Sequence, residues 1–353
     1  MAEELVASRD LTSVSAPLSR DEEVAPNSFA RRWLGGLHPV YVLMLVPLIV
    51  FPFAVADIFP FGVSLATSIL VLSIFTMSLD LLLGYAGLPS FGHAAFLGLG
   101  AYATAIFSVR LGISNFAVSL LVAVALASVG SMVLGLLALR TSGVYFLMLT
   151  LAFAQMLSAL AEKWGPVTGG TNGLPGVKAP ELFGPTLSVP RGIPYYFLTL
   201  ACTVVCFFVM FRLVHSPFGR SLIGIHQNEA RMRAIGYNTR LYKLGAFWVA
   251  GVFASIAGVL YAYFNQFISP GDVGFAVSGT AVLMVLLGGE ATLIGPVLGT
   301  AAYVVIQNVL SSMFTGRWQL ILGALFVVFV LFARGGIVGV WVRIQARRAR
   351  GAA

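Results

Sequence analysis

The chain has 353 residues, of which 59% are hydrophobic and only 10% charged. A soluble globular protein of this length does not carry so little charge, so the composition excludes a free enzyme or soluble binding module and requires an integral membrane protein. The formal charge of +8 follows basic residues that cluster at the flanks of apolar stretches, which fits anionic headgroups and topology rather than a nucleic-acid partner.

Residues 1–39 are polar, rich in Ser, Ala and acids, and lack the basic start and apolar middle of a secretory signal. They read as a disordered cytoplasmic tail ending in the interface anchor Arg31-Arg32-Trp33. Apolar stretches of spanning length follow at 40–59, 62–83, 92–110, 114–139, 141–162, 194–213, 243–264, 273–289, 292–313 and 318–334. The length rule of about 20 residues per crossing gives roughly ten spans in an all-α polytopic transmembrane helical bundle. Eight or nine remain open, because 273–289 and the region from Gly84 to Gly92 are broken by glycine and can re-enter without crossing. Between Val40 and Arg140 the only charged residues are Asp57, Asp80 and Arg110.

The stretch Gly84–Ile106, GYAGLPSFGHAAFLGLGAYATAI, carries Pro89 and several glycines that weaken a regular helix. Its freed backbone groups need protein or a water-filled path around them. Ser90 and His93 are three apart and share a face if that part is helical, with Tyr102 further along. Together with Tyr145, Thr150 and Gln155 on the 141–162 segment and Asn265 at the end of 243–264, they are the candidate path-lining residues. Each taken alone is more often an interhelical hydrogen-bonding or packing group. Ser90 and His93 make a weak nucleophile pair, since Leu88-Pro89-Ser90-Phe91-Gly92 lacks the glycine-flanked turn of an activated serine.

The segment 162–194 is dense in Gly and Pro and reads as an external loop without a packed domain. Cys202 and Cys206, four apart on one apolar helix face, read as packing residues. From Arg212 to Lys243 an apolar chain is interrupted by six basic residues and one acid, Glu229, the signature of a cytoplasmic loop (214–242). Ser216-Pro217 is a cap and first-turn pair, Asn228 can cap a second short helix beginning at Glu229, and Gly236 can end it in a left-handed conformation. If this elbow is inside, later crossings return the basic C-terminal tail 336–353 to the cytoplasm and earlier ones place Arg31 and Arg32 there too. Arg110 then falls outside, a mild misfit. In the 284–303 stretch, Gly295-Pro296 and Gly299 allow close helix packing or a second wall of the path. The similarity of this stretch to Gly84–Tyr102 hints at an internal duplication.

Six stretches in consistent order then carry a resemblance: GYAGLPSFGHAAFLGLGAYA, LRTSGVYFLMLTLAFAQM, TGGTNGLPGV, SPFGRSLIGIHQNEARMRAIGYNTRLYKLGAF, MVLLGGEATLIGPVLG and RWQLILGALFVVFVLFARGGIVG. They resemble the branched-chain amino acid ABC transporter permease family, in its LivM-like branch, over most of the chain after residue 70. The resemblance implies an importer subunit in the bacterial inner membrane, with N- and C-termini cytoplasmic. It would pair with a second permease subunit, two cytoplasmic ATP-binding subunits that hold ATP and Mg, and a periplasmic substrate-binding protein. The permease domain would be 40–335. The elbow resembles the coupling segment of such permeases, implying contact with an ATPase subunit through Ser216, Gly219, Arg220, His226, Asn228, Glu229, Ala230 and Gly236. Glu229-Ala230-Arg231 departs from the strict Glu-Ala-Ala triplet of that signature. No GxxxxGK[ST] loop occurs in the chain, so the expectation is a transport subunit that is not itself an enzyme and carries no cofactor. The expected cargo is a small hydrophobic amino acid, and the same architecture also serves urea, short amides and aromatic acids. An ion-coupled carrier is the rival mechanism, and the absence of a buried ionisable cluster argues against it.

Overall fold

The computed structural model describes residues 48–52, 61–182, 188–314, 316–332 and 335–339. The expected tail 1–39, most of the 40–59 span and residues 340–353 of the basic C-terminal tail lie outside the described residues. From Gly62 onward the chain forms α1 (Gly62–Asp80), a π-helical turn (Leu81–Tyr85), α2 (His93–Arg110), α3 (Phe116–Ala138) and α4 (Val144–Lys163). A two-residue strand β1 (Leu174–Pro175) precedes α5 (Ile193–His215), α6 (Pro217–Gln227), α7 (Glu229–Ala234) and α8 (Thr239–Asn265). Strand β2 (Phe267–Ile268) then leads to α9 (Phe275–Gly288), α10 (Ile294–Met313) and α11 (Trp318–Phe332).

Among the described residues, six helical segments are long and apolar enough to cross a membrane: Gly62–Tyr85, α3, α4, α5, α8 and α10. This establishes a polytopic helical bundle. The sequence expectation of ten is not reached by this measure, for identifiable reasons. At a rise of about 1.5 Å per residue, the 14 residues of α9 cover about 21 Å of a hydrocarbon core about 30 Å thick. The 92–110 stretch is a helix of 18 residues with His93 and Arg110 at its two ends.

Burial separates an inner from an outer set. In their most apolar windows, 72% of Gly62–Tyr85 and 67% of α8 are buried within the protein, against 28% of α3 and of α4. The centre is therefore α1, α2 and α8, with α3, α5 and α10 packed around it. Lipid tails are as apolar as leucine, so close van der Waals contact rather than exclusion of water must hold such helices together. The α2–α8 crossing achieves it through two glycines. A Cβ on Gly258 would stand 2.0 Å from the Leu97 carbonyl oxygen, and one on Gly100 would stand 2.1 Å from that of Ser255. Several buried hydroxyls are satisfied inside their own helices: Thr67 donates to Val63 O, Thr104 to Gly100 O and Thr199 to Tyr195 O. Cys206 is buried and both thiols are free, as packing residues should be.

The end of the bundle remote from α6 and α7 is tied by the Gly- and Pro-rich segment after α4. Strands β1 and β2 pair antiparallel, Leu174 opposite Ile268, and the Lys178 amide donates to Ser108 Oγ. Asp272 accepts from Tyr261 Oη and from both the amide and hydroxyl of Ser269. It is a local cap of the turn Pro270–Val273.

Candidate functional site

The elbow is built as its sequence dictates. Ser216 Oγ accepts from the Gly219 amide at 3.4 Å to cap α6, with Pro217 in the first turn. Asn228 Oδ1 accepts from the Arg231 amide at 2.9 Å to cap α7. Gly236 has φ +92° just beyond α7, where the Tyr237 amide reaches back to Met232 O. No residue of α7 is buried. Arg220, Asn228, Ala230, Arg231 and Gly236 are exposed, and Gly219 is buried at the bend.

Glu229 does something the sequence did not reveal. Its Oε1 accepts from Arg233 Nη2 at 2.6 Å and Thr239 Oγ1 at 2.9 Å, and its Oε2 from Lys243 Nζ at 2.7 Å. It thus staples α7 to the start of α8. Partial burial pushes the carboxyl up, but the hydrogen bonds from Lys243, Arg233 and Thr239 outweigh it and hold the group down at about 2.

His226, at the end of α6, turns toward the glycine-rich break between α1 and α2. Its Nδ1 lies 3.0 Å from the Gly84 carbonyl oxygen, so the ring is an Nδ1–H donor there. A Cβ on Gly87, where φ is +68°, would stand 2.6 Å from the ring's Cδ2. On its other side Gly84 meets a second glycine-rich connection, the turn between α9 and α10. A Cβ on Gly84 would stand 2.2 Å from the Ala291 amide nitrogen and 2.4 Å from Asp80 Oδ1. Asp80, fully buried at the end of α1, accepts from that same amide at 2.9 Å and holds Ala291 at φ +57°. Asp80 Oδ2 has no hydrogen-bond partner among the described residues. The two breaks that look alike in sequence are therefore joined in space.

The break itself departs from the sequence expectation in one respect. Residues 87–90 are not helical, so Ser90 and His93 do not share a helix face. Ser90 is buried and its Oγ accepts from the Gly92 amide. His93 opens α2, fully buried, stacked on Phe75 with ring centroids 5.3 Å apart. The Ser78 hydroxyl donates to Phe75 O, so His93 Nε2–H donates to Ser78 Oγ at 2.8 Å. Its Nδ1 is left without a partner among the described residues, as is the buried Tyr102 hydroxyl. The start of α2 is capped from elsewhere: the Ala94 amide donates to Ser278 Oγ of α9 at 2.9 Å.

The remaining candidates divide. Thr150 is buried, its backbone carbonyl 2.4 Å from where a Gly92 Cβ would sit. Tyr145, 74% exposed, and Gln155, also exposed, lie on the other side of α4 and do not join it. Asn265 lines a cavity of about 340 Å³ at the opposite end of the bundle from the elbow, with Ser64, Thr67, Arg191 and Tyr195. Sequence reasoning missed Asp80 as a partner in the site. Its signal was visible: it is one of only three charges in a hundred apolar residues.

The family described as the permease component of branched-chain amino acid transport systems matches residues 62–331. The chain is 29% identical over 333 residues to the high-affinity branched-chain amino acid transport system permease protein LivM of Escherichia coli K12, covering 88% of this chain and 77% of that protein. It is 25% identical over 270 residues to a probable LivM of Methanocaldococcus jannaschii, covering 67% of this chain and 77% of that protein. A further relative is the autoinducer 2 import system permease protein LsrC of Escherichia coli, 29% identical over 204 residues, 54% of this chain and 58% of that protein. No solved structure matches significantly.

Proposed function

Because the chain belongs to the permease-component family of branched-chain amino acid transport systems, we propose that it is the membrane subunit of an ATP-driven importer of branched-chain amino acids, and that α6 and α7 form its contact with a separate ATP-hydrolysing subunit. One observation carries the second part: α7 has no buried residue, although the Glu229 staple ties it to the start of α8. Beyond it the chain offers Ile235, 63% exposed, and Tyr237, 39% exposed, within a rim of arginines. A small apolar tip with a basic rim is suited to a groove in a soluble protein, where the apolar centre is desolvated and the rim stays wet.

The basic charge of the elbow supports a contact on the cytoplasmic side of a bacterial inner membrane, with the β1–β2 end toward a periplasmic binding protein. ATP-driven closure of the docked subunits displaces the elbow, and the helices rock to expose the path alternately to either side. A second permease subunit completes the path. Walls of Ala, Gly, Leu and Phe let an aliphatic side chain pass without holding it.

The test is the assembled transporter in proteoliposomes. Gly236→Pro demands a φ near −65° where the chain has +92°, and Ile235→Asp puts a charge at the apolar tip. Each should cut leucine uptake at least tenfold and reduce the amount of ATPase subunit that copurifies, while leaving the membrane-inserted yield unchanged. Normal uptake and copurification in both variants would remove the elbow from the contact.

A further inference from the structure

We infer that His226 is a positioning residue that transmits elbow movement to the α9–α10 turn, through the Gly84 carbonyl and Asp80. This deepens the docking assignment above and rests on it. The elbow has many ways to pack against the bundle, and Leu222 and Ile225 supply them, both buried on α6. His226 is different. It is more than a third exposed, yet its Nδ1–H donates directly to a main-chain oxygen of the break, at 3.0 Å.

That oxygen belongs to the residue that cannot separate from the next element without loss. Gly84 sits against the Ala291 amide and the Asp80 carboxyl group so closely that a methyl group would overlap both. The Asp80–Ala291 hydrogen bond is fully buried on the acid's side. Pulling the π-helical turn away from Ala291 would leave a bare donor and a bare carboxyl oxygen in apolar surroundings, a more costly arrangement than moving the pieces together. Ala291 already has a left-handed backbone that a non-glycine residue rarely adopts, and it is kept so by Asp80. The turn is thus a strained hinge with its restraint attached, at one remove, to the elbow. The α9 helix it begins from also caps α2 through Ser278, so movement of the hinge reaches the start of α2.

Proximity alone does not establish energetic coupling, so the test is a double-mutant cycle in the reconstituted complex of this chain with its ATPase subunits and binding protein. The quantity read is leucine moved per ATP hydrolysed, on preparations with full ATPase-subunit stoichiometry. His226→Leu removes the donor and should lower the ratio about tenfold. His226→Asn, whose amide N–H takes the place of Nδ1–H, should restore it to within about threefold of the unaltered protein. Asp80→Leu should lower the ratio similarly and Asp80→Asn, which keeps an acceptor for the Ala291 amide, should rescue it. The double Leu variant should be no worse than the poorer single one. An unchanged ratio in His226→Leu, failure of His226→Asn to rescue, or losses that multiply in the double variant would overturn the relay. The His226 arm decides by itself if Asp80→Leu does not assemble. These results are separable from the docking assignment: its failure shows as ATPase subunits that bind equally well without an intact elbow tip.

Discussion

Two junctions in this molecule are equally tight and differently made. Where α2 crosses α8, contact is backbone on backbone at Gly100 and Gly258, with no hydrogen bond between the helices at those points required to hold it. Where the α1–α2 break meets the α9–α10 turn and the elbow, contact is made by one carboxyl group, one imidazole and the main chain. The first kind resists deformation in every direction because any shift forfeits many small dispersion contacts at once. The second is directional, and its few strong bonds can be carried along by a neighbour. A transporter needs both: a block that stays whole and a joint that turns.

The largest effect is expected at the packed crossing. Gly258→Leu drives a side chain into the Leu97 carbonyl, already 2.0 Å from the Cβ position, and should cost about 3 kcal/mol or more, seen as a large fall in detergent melting temperature. At the joint, the Glu229 staple gives a pH-dependent counterpart. A carboxyl held down at about 2, against its ordinary 4.5, contributes stability that is complete above pH 4.5 and lost as pH falls toward 2. Protection factors of α7 amides, taken against intrinsic exchange rates that themselves fall with pH, should therefore drop relative to those of α8 between pH 5 and 3, and Glu229→Gln should abolish that difference. An α7 whose protection ignores both changes would mean the staple is not what holds it. The smallest effect is expected on the outer side of α4, where Tyr145→Ala and Gln155→Ala should each shift stability by no more than about 0.5 kcal/mol in the isolated chain. Uptake by those variants in the full complex measures whether a partner covers that face.

Most of the helical layout was legible in the sequence, because apolar length and Gly/Pro punctuation are local signals. The 243–264 stretch is the core of α8, 194–213 of α5, and Ser216, Asn228 and Gly236 each perform the terminal role their type predicts. What was not legible is long-range. Nothing local says that Glu229 meets Lys243 rather than another protein, since the distance between them is set by how α8 begins after the bend. Nor does three-residue spacing make Ser90 and His93 neighbours when one helix has already ended at Tyr85 and the next begins only at His93. The resemblance between the two glycine-rich breaks was visible as a pattern. Its physical meaning, a shared contact at Asp80, appears only once the chain has folded.

His226 holds the break by an oxygen of the peptide chain and by no side chain at all. A handle of that sort is indifferent to which groups face the cargo elsewhere along α2 or α4. Residues there can be exchanged to suit a bulkier or more polar solute while the mechanical linkage is left as it is, so a single drive train can be fitted to differently shaped tunnels.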